Sequence, residues 1–344
     1  MRLALLDYAR FFAALSVVLF HWFYNGITNG KVATVEKTWF AEIASYGHYG
    51  VQFFFIISGY VIFLSVKDKS AASFMKSRFK RLYPTYWFAV LFTGFFALMW
   101  ANGTDMAVTV QQILVNLTMI QRFVGVAHVD GVYWTLVFEV IFYAIVFLIL
   151  LLGNFRKLLA FLVAWPFLII IANTFSTGFL VFNLYFSFFV VGSMFALLKN
   201  GQMPKKLALF TLIVAASIGF YQMYMASIPK GNNIVIVGLI YAAMLSFFTI
   251  QNMDRFRKIS LPRSQDIGGM TYPIYLIHAH FGYMILNRFA TPDNQALVYT
   301  LLLITVVSLS WLLWYVIEVK QANFWHRFFS FAVKPVEKIE AKLN

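Results

Sequence analysis

About ten apolar runs, each close to the length of a membrane-spanning helix, alternate with short polar connections along the chain. The hydrocarbon core of a bilayer is about 30 Å thick, so about 20 helical residues with a rise of about 1.5 Å each cross it. The pattern therefore predicts an all-α, polytopic transmembrane helical bundle. The runs are residues 3–24, 48–66, 82–101, 132–152, 157–173, 178–198, 206–225, 233–251, 269–289 and 296–318.

Composition supports a membrane protein. Hydrophobic residues make up 61% of the 344 residues and charged residues 12%, whereas a soluble domain has about 25% charged residues. The sequence contains no cysteine, which excludes thiol catalysis, disulfides and Cys-based metal sites. We expect one membrane domain, residues 1–320, followed by a charged cytoplasmic tail, residues 321–344.

The distribution of lysine and arginine predicts the orientation. If the N-terminus is cytoplasmic, Arg2 and most other cations lie inside, and five of the 27 Lys and Arg lie outside. This bias is typical of the positive-inside rule and places both termini in the cytoplasm. The net charge of +14 is then explained by topology and lipid contacts, not by nucleic acid. The five outer cations are Lys31, Lys37, Arg122, Lys230 and Arg288.

The first apolar run contains three ionisable residues, Asp7, Arg10 and His21. Ionisable groups at membrane depth are energetically costly and usually serve function. At about 100° per helical residue, Arg10 and His21 fall within about 20° of each other, and Asp7 lies on the same stripe. Arg10 is about 16 Å from His21 along the helix axis. The run therefore predicts a polar stripe that ends in an imidazole near the outer surface.

Glu139 lies about two turns into a span that is entered from outside, which places it at the depth of His21. An imidazole at this depth can take a proton from a hydroxyl, and a carboxylate can orient the ring and stabilise the imidazolium. A buried His–Glu pair that only joins two helices fits the same spacing. Spacing alone leaves both interpretations open.

Arg78 and Arg81 precede the third apolar run on the predicted inner side. Their i,i+3 spacing places them on one face of a helix. Two guanidinium groups can bind phosphates through paired hydrogen bonds, and Lys76 and Lys80 add positive charge. A topology signal with contacts to anionic lipid is the alternative.

Three more residues are candidate supporting groups. Ser58 precedes Gly59, a pair that favours close helix packing or a hydrogen bond, and no G-x-S-x-G motif surrounds it. Tyr275 and His278 have i,i+3 spacing, and His278 is a candidate polar partner inside the bundle. Neither H-x-x-x-H nor H-E-x-x-H occurs, so we expect no metal site.

Five segments together resemble acyltransferase family 3, the integral-membrane O-acyltransferases of cell-surface glycans, lipids and some secondary metabolites. The segments occur in the order and at the spacing usual for that family, over essentially the whole chain. They are DYAR (residues 7–10) followed by His21, FFFIISGY (53–60), RFKRLYP (78–84), WTLVFE (134–139) with Tyr143, and TYPIYLIH (271–278).

The resemblance implies a ten-helix core in the bacterial cytoplasmic (inner) membrane. Such a core takes an acyl group, usually acetyl, from cytoplasmic acyl-CoA and passes it to a hydroxyl of a carbohydrate or lipid-linked glycan outside. By the same resemblance, His21 is the catalytic histidine, Glu139 fills a further motif position and is the second catalytic candidate, and Arg10, Arg78 and Arg81 bind the acyl donor. Acyl-CoA is then a co-substrate, and no tightly bound cofactor or nucleic acid is implied. The remaining candidates are supporting residues: Asp7, Ser58, Trp134, Tyr275 and His278.

Two positions depart from the family pattern, and one of them, Thr271 in place of the more usual serine, is a mild change. Family members commonly have proline two residues after a glutamate in the last span, whereas Lys320 follows Glu318 at that spacing here. The departure argues against a functional role for Glu318.

Two other functions fit the buried ionisable residues. A proton-coupled transporter or flippase would use Asp7, Arg10, His21 and Glu139 as a relay. A non-catalytic scaffold in an envelope assembly would tolerate their loss. Only an enzyme would transfer label from acetyl-CoA into glycan or lipid; a transporter and a scaffold would not.

Overall fold

A computed structural model describes residues 3–343 and shows 79% helix with no strand in that range. Each predicted apolar run contains a helix, which confirms the all-α membrane bundle. Among the described residues, seven helices are long and apolar enough to cross a membrane. The count of ten spans and the cytoplasmic termini stay predictions, and Arg2 lies outside the described residues.

The main helices are numbered here in chain order. They are α1 (Ala4–Phe20), α2 (Gly50–Phe63), α3 (Ala71–Trp100), α4 (Trp134–Leu152), α5 (Phe155–Thr174), α6 (Phe186–Asn200), α7 (Lys205–Ser227), α8 (Ile234–Gln251), α9 (Ser264–Ile277), α10 (Ala279–Phe289), α11 (Gln295–Leu313) and α12 (Ala322–Leu343).

Two helices continue into π-helical turns. The turn His21–Asn25 extends α1, and the turn Trp314–Lys320 extends α11. A π-helical turn inserts an extra residue, which changes the direction of the side chains that follow, and such turns often occur at functional sites. His21 is the first residue of one turn, and Glu318 lies in the other.

Helices α2 and α6 cross in the centre of the bundle with their backbones in contact. A Cβ at Gly192 would collide with the carbonyl oxygen of Ile56, and a Cβ at Gly59 would collide with that of Phe189. Glycine allows this approach because it has no side chain, as is common between membrane helices. The crossing fixes the depth and rotation of α2, which carries Ser58.

We expect Gly192→Ala to destabilise the bundle by about 2 kcal/mol, because the added methyl group must push two backbones apart. Gly238→Ala in α8 is the matched control, since its added Cβ would meet only the Phe220 ring at 3.8 Å. Thermal unfolding in detergent measures both. The expected result is a lower midpoint for Gly192→Ala alone, and equal midpoints for the two variants would contradict the proposed close packing.

The last membrane segment before α11 is interrupted at His278, where α9 ends and α10 begins. The Trp22 indole Nε1 donates a hydrogen bond of 2.9 Å to the carbonyl oxygen of His278 at this break. Helix α1 also packs along α9. The C-terminal end of α1 and the π-helical turn that begins at His21 are therefore held against the α9–α10 junction.

Candidate active site

A cavity of about 490 Å³ lies among α1, α2, α3, α4, α9, the π-helical turn after α11 and the start of α12. Four cationic side chains line it against two carboxylates, so its field is positive. The polar residues of the lining are Arg10, Ser58, Ser77, Arg78, Lys80, Arg81, Thr135, Glu139, Tyr143, Thr271, Tyr272, Tyr275 and Glu318.

Helix α3 brings Arg78 and Arg81 into this cavity together, as their i,i+3 spacing predicted. The Arg78 guanidinium lies over the rings of Phe74 and Tyr143, 5.9 and 5.6 Å from their centroids. Its Nε donates a hydrogen bond of 3.1 Å to Ser77 Oγ. The aromatic rings hold the guanidinium in place through cation–π contact, and its Nε is turned toward Ser77.

Arg81 forms an ion pair with Glu318. Its Nη1 lies 2.6 and 2.8 Å from the two carboxylate oxygens. The sequence pattern argued against a functional role for Glu318; the structure places this carboxylate in the cavity wall, where it pairs with Arg81. A glutamate at the end of an apolar span was the signal in the sequence that could have indicated it.

Arg10 connects two cavities. It lines the large cavity and also a smaller one of about 260 Å³, which Asp7, Arg81 and Glu318 border as well. Among the described residues, the buried Arg10 Nε has no hydrogen-bond partner. A buried donor without a partner costs about 1–3 kcal/mol, so this group is suited to an anionic ligand that enters the cavity.

The carboxylate of Glu139 belongs to the cavity. The Ser58 hydroxyl donates a hydrogen bond of 3.1 Å to Glu139 Oε1, and the Tyr143 hydroxyl donates to the same oxygen. The predicted pairing of Glu139 with His21 is therefore wrong. The depth estimate used only the distance along the helix, whereas the rotation of α4 directs Glu139 toward α2.

His21 lies in a separate polar cluster at the start of its π-helical turn. Its Nδ1 shares a hydrogen bond of 2.5 Å with the hydroxyl of Tyr283. Asn25 Nδ2 lies 3.1 Å from that hydroxyl and 3.4 Å from His21 Nδ1. Sequence reasoning missed Tyr283 and Asn25, although Asn25 follows His21 by one helical turn. Together they fix the orientation of the imidazole and leave its Nε2 as the remaining ring nitrogen.

Tyr275 and His278 separate the two clusters. Tyr275 lines the large cavity, and its hydroxyl is hydrogen-bonded to Thr135 at 2.8 Å. The His278 ring lies 5.8 Å from the Tyr275 ring and 5.0 Å from the His21 ring. His21 is not in the lining of the cavity. The side chains of Tyr275 and His278 thus divide the single polar stripe that was expected along α1.

The other sequence candidates have distinct positions. Asp7 borders the smaller cavity. Trp134 packs its ring against Phe138 and Tyr185, with centroids 5.7 and 5.2 Å away, which is a packing role. Within residues 3–343, no group of three or more His, Asp or Glu side chains is arranged to hold a metal ion.

Seven long apolar helices among the described residues, together with ionisable side chains gathered in an internal cavity, define an integral membrane protein. The family model of the acyltransferase domain, acyltransferase family 3, matches residues 3–315, nearly the whole chain. The chain belongs to this family and is a membrane acyltransferase. A search of curated proteins and a search of solved structures each found no match. The family match ends before α12.

Proposed function

We propose that this protein moves an acyl group, most simply acetyl, from cytoplasmic acyl-CoA to a hydroxyl of a surface carbohydrate or lipid-linked glycan. The transfer delivers the group to the outer side of the bacterial inner membrane. The observation that supports this proposal best is the cavity lined by Arg10, Arg78 and Arg81, which adjoins the His21 cluster through Tyr275 and His278.

The chemistry of the cavity suits the phosphates of coenzyme A. Guanidinium groups bind phosphate oxygens through paired, charge-assisted hydrogen bonds. Arg10 offers a buried Nε without a partner, and Arg78 is held in place by aromatic rings. A phosphate that binds Arg81 replaces the Glu318 carboxylate or shares the guanidinium with it, because Nη1 carries both contacts of the ion pair.

His21 is the base in this proposal. Its Nε2 takes the proton of the acceptor hydroxyl while the oxygen attacks the thioester carbonyl. The new oxygen–acyl bond forms, the sulfur–acyl bond breaks, and coenzyme A leaves as a thiolate that recovers the proton from the imidazolium. With Nε2 as the base, Nδ1 carries the hydrogen and donates it to the Tyr283 hydroxyl oxygen, which also accepts from Asn25 Nδ2; Tyr283 thus has the role that a carboxylate has in many catalytic histidine pairs. Glu139 instead shapes the donor cavity.

The acyl group must pass from the cavity to the cluster formed by His21, Tyr283 and Asn25. The rise from Arg10 to His21 is about 16 Å along α1, which an extended pantetheine arm has to cover. Tyr275 and His278 stand on this route, and the Tyr275–Thr135 hydrogen bond holds the tyrosine in place. Transfer therefore requires these side chains to move when the donor is bound.

Membranes from cells with and without the gene, incubated with acetyl-CoA labelled in the acetyl group, test the proposal. The expected result is label in glycan or lipid only when the protein is present. Proton-coupled flux without consumption of acetyl-CoA would support a transporter instead. Absence of labelled product, with the protein folded and its acceptor present, would contradict an acyl-CoA-dependent enzyme.

A further inference from the structure

Helix α12 follows the family-matched residues, which end at residue 315. The sequence pattern predicted a charged tail here, and the structure shows a helix that packs along α3. Ala322 and Trp325 at its start belong to the wall of the large cavity. The helix is therefore adjacent to the cationic site at one end, although its residues lie beyond the family match.

The other end of α12 caps α3. Glu340 is 9% exposed, and its two carboxylate oxygens accept hydrogen bonds from the backbone amides of Ala71 at 2.6 Å and Ala72 at 3.1 Å. Ser70 Oγ accepts from the amide of Ser73 at 3.1 Å. The first amides of a helix have no partner within the helix, and a carboxylate there also interacts favourably with the helix dipole. Glu340 thus supplies a charged cap from a distant part of the chain.

Between these two ends, aromatic rings join α12 to α3. The Phe329 ring lies 6.2 Å from Phe79, 6.5 Å from Tyr83 and 6.3 Å from Trp87. Phe79, Tyr83 and Trp87 follow one another at i,i+4 spacing, so they form a single stripe on α3. Phe329 and Val333 are buried in this contact. Helix α12 is therefore packed against the part of α3 that carries the two cavity arginines.

The length of α3 explains why it needs this support. Its 30 residues extend over about 45 Å, whereas the hydrocarbon core is about 30 Å thick. Its cations all lie before the apolar part that begins at Leu82, so we assign the excess length to the first turns, which lipid tails then do not hold. Arg78 lies only two turns after Ala71, so fraying of the capped end would change the position of its guanidinium.

We infer that α12 is part of the donor site and that Glu340 is a positioning residue for Arg78 and Arg81. The inference rests on the proposed function, because it assigns donor binding to these arginines. Glu340 acts through the start of α3 and does not itself touch the donor. Its loss is therefore expected to weaken the binding of acyl-CoA while the chemical step at His21 continues.

Glu340→Gln tests the inference by steady-state kinetics with acetyl-CoA as the varied substrate. We expect the KM for acetyl-CoA to rise about fivefold, which corresponds to the loss of a typical helix cap, while kcat stays within about twofold. Glu340→Ala should have a larger effect in the same direction. Glu337→Gln is the matched control, because Glu337 is an exposed residue on the same helix, and its KM should equal that of the wild type.

Hydrogen exchange provides a readout that does not depend on turnover. In Glu340→Gln, the amides of Ala71 and Ala72 should exchange faster than in the wild type, while the centre of α3 keeps its protection. If the amides are released and the KM for acetyl-CoA is unchanged, Glu340 is only a structural cap and the inference is wrong. Unchanged exchange of both amides would also overturn it.

Two further measurements cover a Glu340→Gln variant that does not fold and a wild-type protein that transfers no acetyl group. If Glu340→Gln does not yield folded protein, Glu340→Asp retains the charge with a shorter reach and should show an intermediate KM. If the wild type binds coenzyme A but transfers no acetyl group, the proposed function fails. The positioning role is then tested by binding alone: Glu340→Gln should bind coenzyme A more weakly than the wild type. Equal affinities would refute the role.

Discussion

His21→Ala is expected to lower kcat for acyl transfer by about 10³-fold, because a general base in the transition state contributes about 10² to 10⁴ in rate. The ring accepts the hydroxyl proton at Nε2, and alanine provides no substitute. Because His21 is not in the lining of the donor cavity, the affinity for coenzyme A should stay at the wild-type value. Transfer of labelled acetyl and equilibrium binding of coenzyme A measure the two effects separately.

His128→Ala is the matched control for the removal of an imidazole. His128 lies in the connection between α3 and α4, and its Nδ1 is hydrogen-bonded to Gln121 at 2.8 Å. We expect this variant to keep wild-type activity. Retention of activity in His21→Ala, or equal losses in both variants, would show that His21 is not the base.

Arg81→Ala is expected to lower kcat/KM for acyl-CoA by about 100-fold. A hydrogen bond to a charged group contributes about 1.5–3 kcal/mol, and the substitution also leaves the Glu318 carboxylate unpaired in the cavity, where it repels phosphate. Lys76→Ala is the control on the same helix, because Lys76 is a cation that does not line the cavity. Its kcat/KM should stay within about twofold of the wild type.

The double variant Arg81→Ala/Glu318→Gln separates the two causes. Removal of the negative charge should restore part of the lost kcat/KM, because the repulsion disappears even though the guanidinium is still missing. A double-mutant cycle gives the coupling between the two residues. If the free-energy changes of the two single variants simply add up to that of the double variant, Glu318 does not compete for Arg81. The proposed exchange with phosphate is then wrong.

The helical pattern predicts which residues share a face, and the structure agrees with this prediction for Arg78 and Arg81. Arg78 and Arg81 lie together in the cavity because i,i+3 spacing on a helix is a property of the local backbone. Such relations within an element need no knowledge of the neighbouring helices. Arg10 and His21 were also expected on one stripe, but Arg10 lines the cavity, whereas His21 begins a π-helical turn and joins the cluster with Tyr283.

Relations between helices could not be predicted in this way. Glu139 was assigned to His21 from depth alone, but the rotation of α4 places its carboxylate against Ser58 and Tyr143. That rotation depends on how α4 packs against its neighbours, which the sequence of α4 alone does not contain. Hydrophobic periodicity is weak in these helices, because lipid and protein interior favour the same apolar side chains.

Two other features were hidden from the sequence for different reasons. Glu318 faces Arg81 from a π-helical turn, which departs from the 3.6-residue period used to assign faces. Glu340 binds backbone amides of Ala71 and Ala72, and every residue except proline has such an amide, so no complementary side-chain pattern marks the partner. The charge of the last helix therefore suggested only a solvated tail.

Inside-out membrane vesicles test the central claim most directly, namely that a donor bound at the cytoplasmic side acylates an acceptor near His21 on the opposite side. Labelled acetyl-CoA is added to the exposed cytoplasmic face, and the product is challenged with an added esterase before and after detergent. We expect acetylated glycan that the esterase reaches only after detergent, and no such product with His21→Ala. Label that is removed without detergent, or normal labelling by His21→Ala vesicles, would contradict transfer across the membrane by this histidine.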